Sequence, residues 1–182
     1  TDMGATGRLH VHGDVIFHYE SQYRSSTDGG ATWIDVKANM PSGDDIDSIF
    51  TFDGALMAQG KRSLYRSEDA GQTWPGVAGL LIQLGGTIKE YAIDGDNLYL
   101  YSDRRAVFHT SDGGATFTEA DVPMGNSNME DFAAAGDTWA AVIGNGGVMY
   151  SFDAGQNWLF GPGAIWQVHG HGDTIFGTTF IN

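Results

Sequence analysis

Two His-x-His pairs lie near opposite ends of the sequence, His10 with His12 and His169 with His171. Residues two apart on a strand share a face, so each pair presents two imidazoles side by side. Neutral histidine is the commonest ligand of transition metals, and four converging imidazoles would hold one. No carboxylate is spaced to complete the set, and the plainer alternative is ordinary hydrogen bonding by duplicated residues. A second group is cationic: Lys61 with Arg62, Arg104 with Arg105, and Lys89, five of only nine basic residues. Gathered on one face they would hold a carboxylate or an acidic partner segment, arginine giving bidentate contacts. Trp166 offers either a stacking surface for a sugar ring or a core side chain. Four aspartates, Asp28, Asp69, Asp112 and Asp153, each follow a serine or threonine by two positions.

The bulk composition narrows the partners. The formal charge is −14, from 23 acidic residues against 9 basic ones. Neutralising phosphates takes a concentration of Lys and Arg, which disfavours nucleic acid, and an anionic membrane surface for the same reason. No stretch approaches the roughly 20 apolar residues of a membrane-spanning helix. Cysteine is absent, so disulfides and thiol chemistry are excluded. A content of 41% hydrophobic residues argues for a folded chain. The 27 glycines, clustered between short apolar runs, indicate many short strands and tight turns.

The four aspartates belong to one repeated segment. It appears as Ser26-Thr27-Asp28-Gly29-Gly30-Ala31-Thr32-Trp33, and again at 67–74, 110–117 and 151–158. The aspartates are 41, 43 and 41 residues apart, and about 42 residues is the length of one four-stranded propeller blade. Between these segments a second signal recurs as Gly13-Asp14, Asp53-Gly54, Gly95-Asp96, Gly136-Asp137 and Gly172-Asp173. Such pairs suit the two-residue turns of hairpins, whose central residues need positive φ. The predicted second strands are Val15 to Tyr19, Leu56 to Ala58, Leu98 to Tyr101, Trp139 to Ile143 and Thr174 to Phe176. Third strands run into the repeated segment and fourth strands follow its aromatic residue. No 3.6-residue period persists over three turns, which predicts almost no helix.

The expected fold is therefore an all-β propeller of four-stranded antiparallel blades, one domain over 1–182. Its blades fall at about 8–40, 46–82, 89–124, 130–164 and, incomplete, 165–182. The open edge of that last blade is a possible route to a homo-oligomer. The basic pairs fall in turns between second and third strands, and Lys89 and Trp166 lie on the same face.

The motif Ser-x-Asp-x-Gly-x-Thr-Trp resembles the Asp-box, or BNR repeat, of sialidases, xyloglucan-degrading glucanases, sortilin-type receptors and photosystem II assembly factors. Departures are Thr110 for serine, Phe117 for tryptophan and Asn157 for threonine. The resemblance implies a structural motif on the outer rim, so Asp28, Asp69, Asp112 and Asp153 are expected to brace turns. The box lacks the alternating oxygen ligands of a calcium loop. It also implies secretion, and raises sialidase chemistry as an alternative. That chemistry needs an arginine triad, a tyrosine nucleophile with a neighbouring glutamate, and an acid. No arginine-containing motif of that kind stands in the N-terminal segment. Glu90 and Tyr91, as strand neighbours, point to opposite faces. The reading that follows is a non-catalytic propeller needing no cofactor. It would bind a glycan or a protein through the face bearing the second-to-third strand turns. Glycoside hydrolysis and assembly as a structural or virion protein are the alternatives.

Overall fold

A computed structural model of the chain describes residues 7–19, 22–40, 45–77, 87–103, 105–144, 147–161 and 163–179. Two compact units divide it, residues 1–82 and 83–182.

The first unit holds two antiparallel sheets. One has the order β1 (Arg8–His12), β2 (Val15–Tyr19), β3 (Arg24–Ser26), β4 (Ile34–Asp35). The other is β5 (Ile46–Phe52), β6 (Ala55–Gly60), β7 (Leu64–Ser67). Where its fourth strand was expected there is a single bridge, Tyr65 to Gly76. The one helical turn among the described residues is a 3-10 turn at Lys37–Asn39.

The second unit contains β8 (Ile88–Asp94), β9 (Asn97–Ser102), β10 (Ala106–Thr110) and β11 (Thr118–Asp121) as one four-stranded sheet. A second comprises β12 (Met129–Ala135), β13 (Thr138–Ile143), β14 (Gly147–Ser151) and β15 (Leu159–Phe160). The last, β16 (Gln167–His171) with β17 (Thr174–Thr178), has two strands. Five blades with the last incomplete is the count the repeats predict.

The hairpin turns take the backbone that their composition requires, with Gly13 at φ +57°, Gly95 at +56°, Gly136 at +58° and Gly172 at +55°. In the second hairpin the order is reversed, and both Asp53 (+48°) and Gly54 (+68°) are left-handed. The second strand β6 is fully buried: Leu56, Met57 and Ala58 are all 0% exposed. In the first unit Phe17, Tyr19, Ile46, Ile49 and Trp74 build the core with that strand. The larger core of the second unit centres on Trp139, Tyr99, Phe132 and Met149. Ala133, Val142 and Val148 meet Val168 in a smaller cluster.

The repeated aspartate turn has one bonding pattern in all four copies. In the second, Asp69 Oδ1 accepts the backbone N–H of Thr73 at 2.8 Å, and Oδ2 accepts the Thr73 hydroxyl at 2.6 Å. The buried Ser67 hydroxyl donates to Asp69 Oδ1 at 2.8 Å and accepts the Gly71 N–H at 2.8 Å. The sequence departures preserve these bonds. Thr110 takes the serine's place in the third copy, its hydroxyl reaching Asp112 Oδ1 at 2.7 Å. Asn157 donates its side-chain amide to Asp153 Oδ2 at 2.7 Å, where threonine would donate a hydroxyl. A turn of this kind satisfies its own backbone without help from another strand.

Hydrogen bonds from the threonine lower the carboxyls of Asp28, Asp69 and Asp112 to a pKa of about 2. A folded-state value below the unfolded one means that these bonds stabilise fully above about pH 4. That contribution is lost as pH falls through about 2. Thermal melts between pH 5 and 2 should show a falling midpoint, and Asp112→Asn should flatten the fall. An unchanged slope would mean that the carboxylate does not hold the turn.

Candidate functional site

The second unit carries a cleft of about 710 Å³ along β8, β12 and β16, the first strands of its three sheets. Its lining includes Glu90, Glu130, Asp131, Trp166, Gln167 and His169. Gly144, in the turn between β13 and β14, also borders it, which places its mouth on the face bearing second-to-third strand turns. A smaller adjoining hollow of about 510 Å³ is bordered by Lys89, Glu90, Tyr101, Asp103 and Glu130.

The floor is built rigidly. Asp131 is spent on structure: its Oδ1 accepts the N–H of Phe132 and its Oδ2 that of Val168, both at 2.9 Å, tying β12 to β16. Gly170 lies so close to β12 that a Cβ there would come within 2.4 Å of the Ala134 carbonyl oxygen. The Tyr101 hydroxyl donates to Glu90 Oε2 at 3.3 Å and lies 3.4 Å from the Glu130 carbonyl. Burial raises the Tyr101 phenol well above its ordinary pKa, and the charges of Glu90, Asp131 and Glu130 push it the same way. The phenol is therefore a fixed neutral donor.

Three first strands share an irregularity. The pairing of β5 with β6 slips between Ile46 and Ser48, that of β8 with β9 between Ile88 and Glu90, and that of β12 with β13 between Met129 and Asp131. The extra residues are Asp47, Lys89 and Glu130, all exposed, each following a buried apolar residue. A β-bulge of this sort re-aims a side chain out of the strict alternation. Trp166 occupies the corresponding position before β16, six residues ahead of its hairpin glycine. Its N–H donates to the Thr178 carbonyl at 3.0 Å, and it is 47% exposed.

The sequence-predicted residues are distributed as follows. Lys61 and Arg62 lie in the first unit, in the β6–β7 turn, and the Lys61 ammonium sits 2.9 Å from Asp45 Oδ2. Arg105 lies in the β9–β10 turn at φ +68°, its carbonyl accepting the Val122 N–H. Arg104 lies outside the described residues. Lys89 borders the smaller hollow, whose lining also includes the carboxylates of Glu90, Asp103 and Glu130. Ile46 and Asp47 begin β5.

His10 and His12 do share a face. His10 Nε2 lies 2.8 Å and His12 Nδ1 3.1 Å from one hydroxyl, that of Thr51 on β5. Burial, then the neighbouring His12, lowers the pKa of His10. His169 and His171 belong to the second unit, where both are exposed on β16. No group of three or more potential metal-ligating side chains occurs among the described residues.

Glu130 and Tyr101 were not singled out by sequence, and Glu90 was weighed only with Tyr91 as a sialidase-like pair. The signal that would have found Glu130 is positional: it stands six residues before its hairpin glycine, as Lys89 and Trp166 do.

Repeated antiparallel sheets with a cleft along their first strands define a β-propeller. The chain belongs to the DUF6242 beta propeller domain family, whose model matches residues 8–160. It is also similar to vacuolar protein sorting/targeting protein 10 of Verticillium alfalfae, 31% identical over 71 residues. That match covers 39% of this chain and 5% of the fungal protein. Among solved structures, the extracellular domain of BT4673 from B. thetaiotaomicron superposes with a TM-score of 0.67 at 14% identity, covering 98% of this chain and 27% of that one. YCF48 bound to D1 peptide gives 0.59 at 14%, covering 80% and 48%. The GH74 enzyme of Niastella koreensis gives 0.54 at 20%, covering 86% and 24%. The chain thus spans less than half the length of each of these proteins, and at such identities the structural likeness shows the fold alone. No helix among the described residues is long and apolar enough to cross a membrane.

Proposed function

We propose that this chain is a non-catalytic recognition domain. It takes a protein segment or a glycan in the cleft along β8, β12 and β16. The observation that carries this reading is Trp166, a large ring left 47% exposed at a concave surface beside Glu130. Binding clefts combine such apolar surface with a few fixed polar groups, here Glu90, which is held by the Tyr101 hydroxyl. The bonding of the four aspartate turns supports their assignment as Asp-boxes and a bracing role for Asp28, Asp69, Asp112 and Asp153. The likeness to an extracellular domain supports action outside the cell.

The test is binding to glycan and peptide arrays by the intact protein and by Trp166→Ala. A loss of about tenfold at an unchanged melting temperature is expected. Equal binding by the variant would overturn the site. Because carboxylates line the cleft, glycoside hydrolysis is the competing reading. Turnover of a fluorogenic glycoside, abolished in Glu130→Gln, would replace recognition with catalysis.

The convergence of His10 and His12 on the Thr51 hydroxyl favours a separate role for this pair in metal binding. Zinc should then raise the melting temperature of the wild type and not of His12→Ala. No shift in the wild type would leave Thr51 as the partner of the pair.

A further inference from the structure

The row of bulge-position residues in the second unit points to a ligand class, an inference that rests on the cleft being a binding site. Lys89, Glu130 and Trp166 occupy the same place on successive blades, each displayed by a strand whose neighbouring residues are tied into the sheet. The residues just before them, Ile88, Met129 and Ile165, are apolar and packed. The scaffold thus repeats while the displayed group changes from cation to anion to aromatic ring.

Glu130 is the central member and borders both hollows. Its carboxylate has no hydrogen-bonding or ion-pair partner among the described residues, whereas Asp131 beside it is consumed by two backbone N–H groups. Glu90 adds a second charge, fixed by Tyr101. A cation lying between this acidic floor and the indole of Trp166 would gain both a charge-assisted bond and a ring-face contact. A neutral sugar would gain the stacking and hydrogen bonds from its hydroxyls to the carboxylates, but no ion pair. Packed sheets stand roughly 10 Å apart, about three residues of extended chain, so a peptide crossing from Lys89 to Trp166 would need about six or seven residues.

We propose that the cleft binds an extended peptide segment through a Lys or Arg side chain seated between Glu130 and Trp166.

The experiment is selection of a random heptapeptide phage library on the intact protein, with a glycan array run in parallel. Wild type should enrich Lys or Arg at one position, and enriched peptides should bind roughly tenfold more weakly to Glu130→Gln. Their binding should also weaken as salt rises. Glu130→Lys should abolish the basic preference. Both substitutions are at an exposed position, and an unchanged melting temperature would confirm that they fold. Peptides enriched without a basic residue, or indifferent to Glu130→Gln, would overturn this inference. A bare peptide selection with a positive glycan array, lost in Trp166→Ala, would overturn it while leaving the cleft as a binding site. Failure of both assays would remove the recognition reading as well.

Discussion

Trp139→Ala is expected to destabilise the second unit by about 3–5 kcal/mol, the cost of truncating a fully packed tryptophan. Trp139 is 2% exposed and touches four other rings. Tyr99, Phe132, His109 and Trp158 lie with centroids 5.3, 5.8, 6.1 and 6.4 Å away, at steep interplanar angles. Its indole N–H donates to the Gly136 carbonyl at 3.1 Å, closing the hairpin between β12 and β13. The side chain therefore couples β9, β12 and β13. For a unit of this size the melting temperature should fall by at least about 12 °C. Trp139→Phe should cost less than half as much, because it keeps most of the apolar contact and loses only the bond to Gly136. Calorimetry of the three proteins checks this, and a loss under about 1 kcal/mol for alanine would mean that the ring cluster is not the centre of the core.

The second large effect is a contrast between two glycines that the repeat makes equivalent. Gly30 and Gly155 stand at the same place in the first and fourth aspartate turns, at φ +91° and +80°. Alanine at either position bears the left-handed backbone penalty of about 1–2 kcal/mol. At Gly30 a Cβ would meet only Trp33, at an ordinary 3.7 Å. At Gly155 it would stand 2.6 Å from Trp139 Cζ3 and 3.0 Å from Ala120 Cβ. Overpacking of that kind adds about 1–3 kcal/mol. Gly155→Ala should therefore cost about 2–5 kcal/mol and Gly30→Ala about 1–2. In the Trp139→Ala background the cost of Gly155→Ala should shrink toward that of Gly30→Ala, because the clashing ring is gone. Equal costs for the two glycines in the wild type would refute the close approach.

Much of the fold was legible because its signals are local. The hairpin turns need positive φ within two residues, and Gly13, Gly95, Gly136 and Gly172 adopt it. Each aspartate turn closes its hydrogen bonds within a few residues, so its spacing alone marks where a third strand ends. The predicted second strand at Val15 to Tyr19 coincides with β2. Among the described residues the fourth strand of the second sheet is reduced to a bridge at Tyr65 and Gly76, which was not legible because it depends on the path the chain takes after its turn.

The candidate site was legible only in part. Lys89 and Trp166 drew notice by residue type, and both line hollows of the second unit. Carboxylates accompany two of the basic residues: Lys89 shares its hollow with Glu90, Asp103 and Glu130, and Lys61 is paired with Asp45. Likewise the partner of His10 and His12 is a threonine 39 to 41 residues away, which no spacing rule identifies.

By itself the sequence determined the repeat, the strands and the turns, because alternation, glycine backbone and side-chain-to-backbone bonds act over a few residues. The tertiary structure decided which glycine touches a ring, where pairing slips to present Glu130, and which charges share a cleft. Those outcomes depend on distances between strands remote in sequence, and packing of one sheet on the next is what sets them.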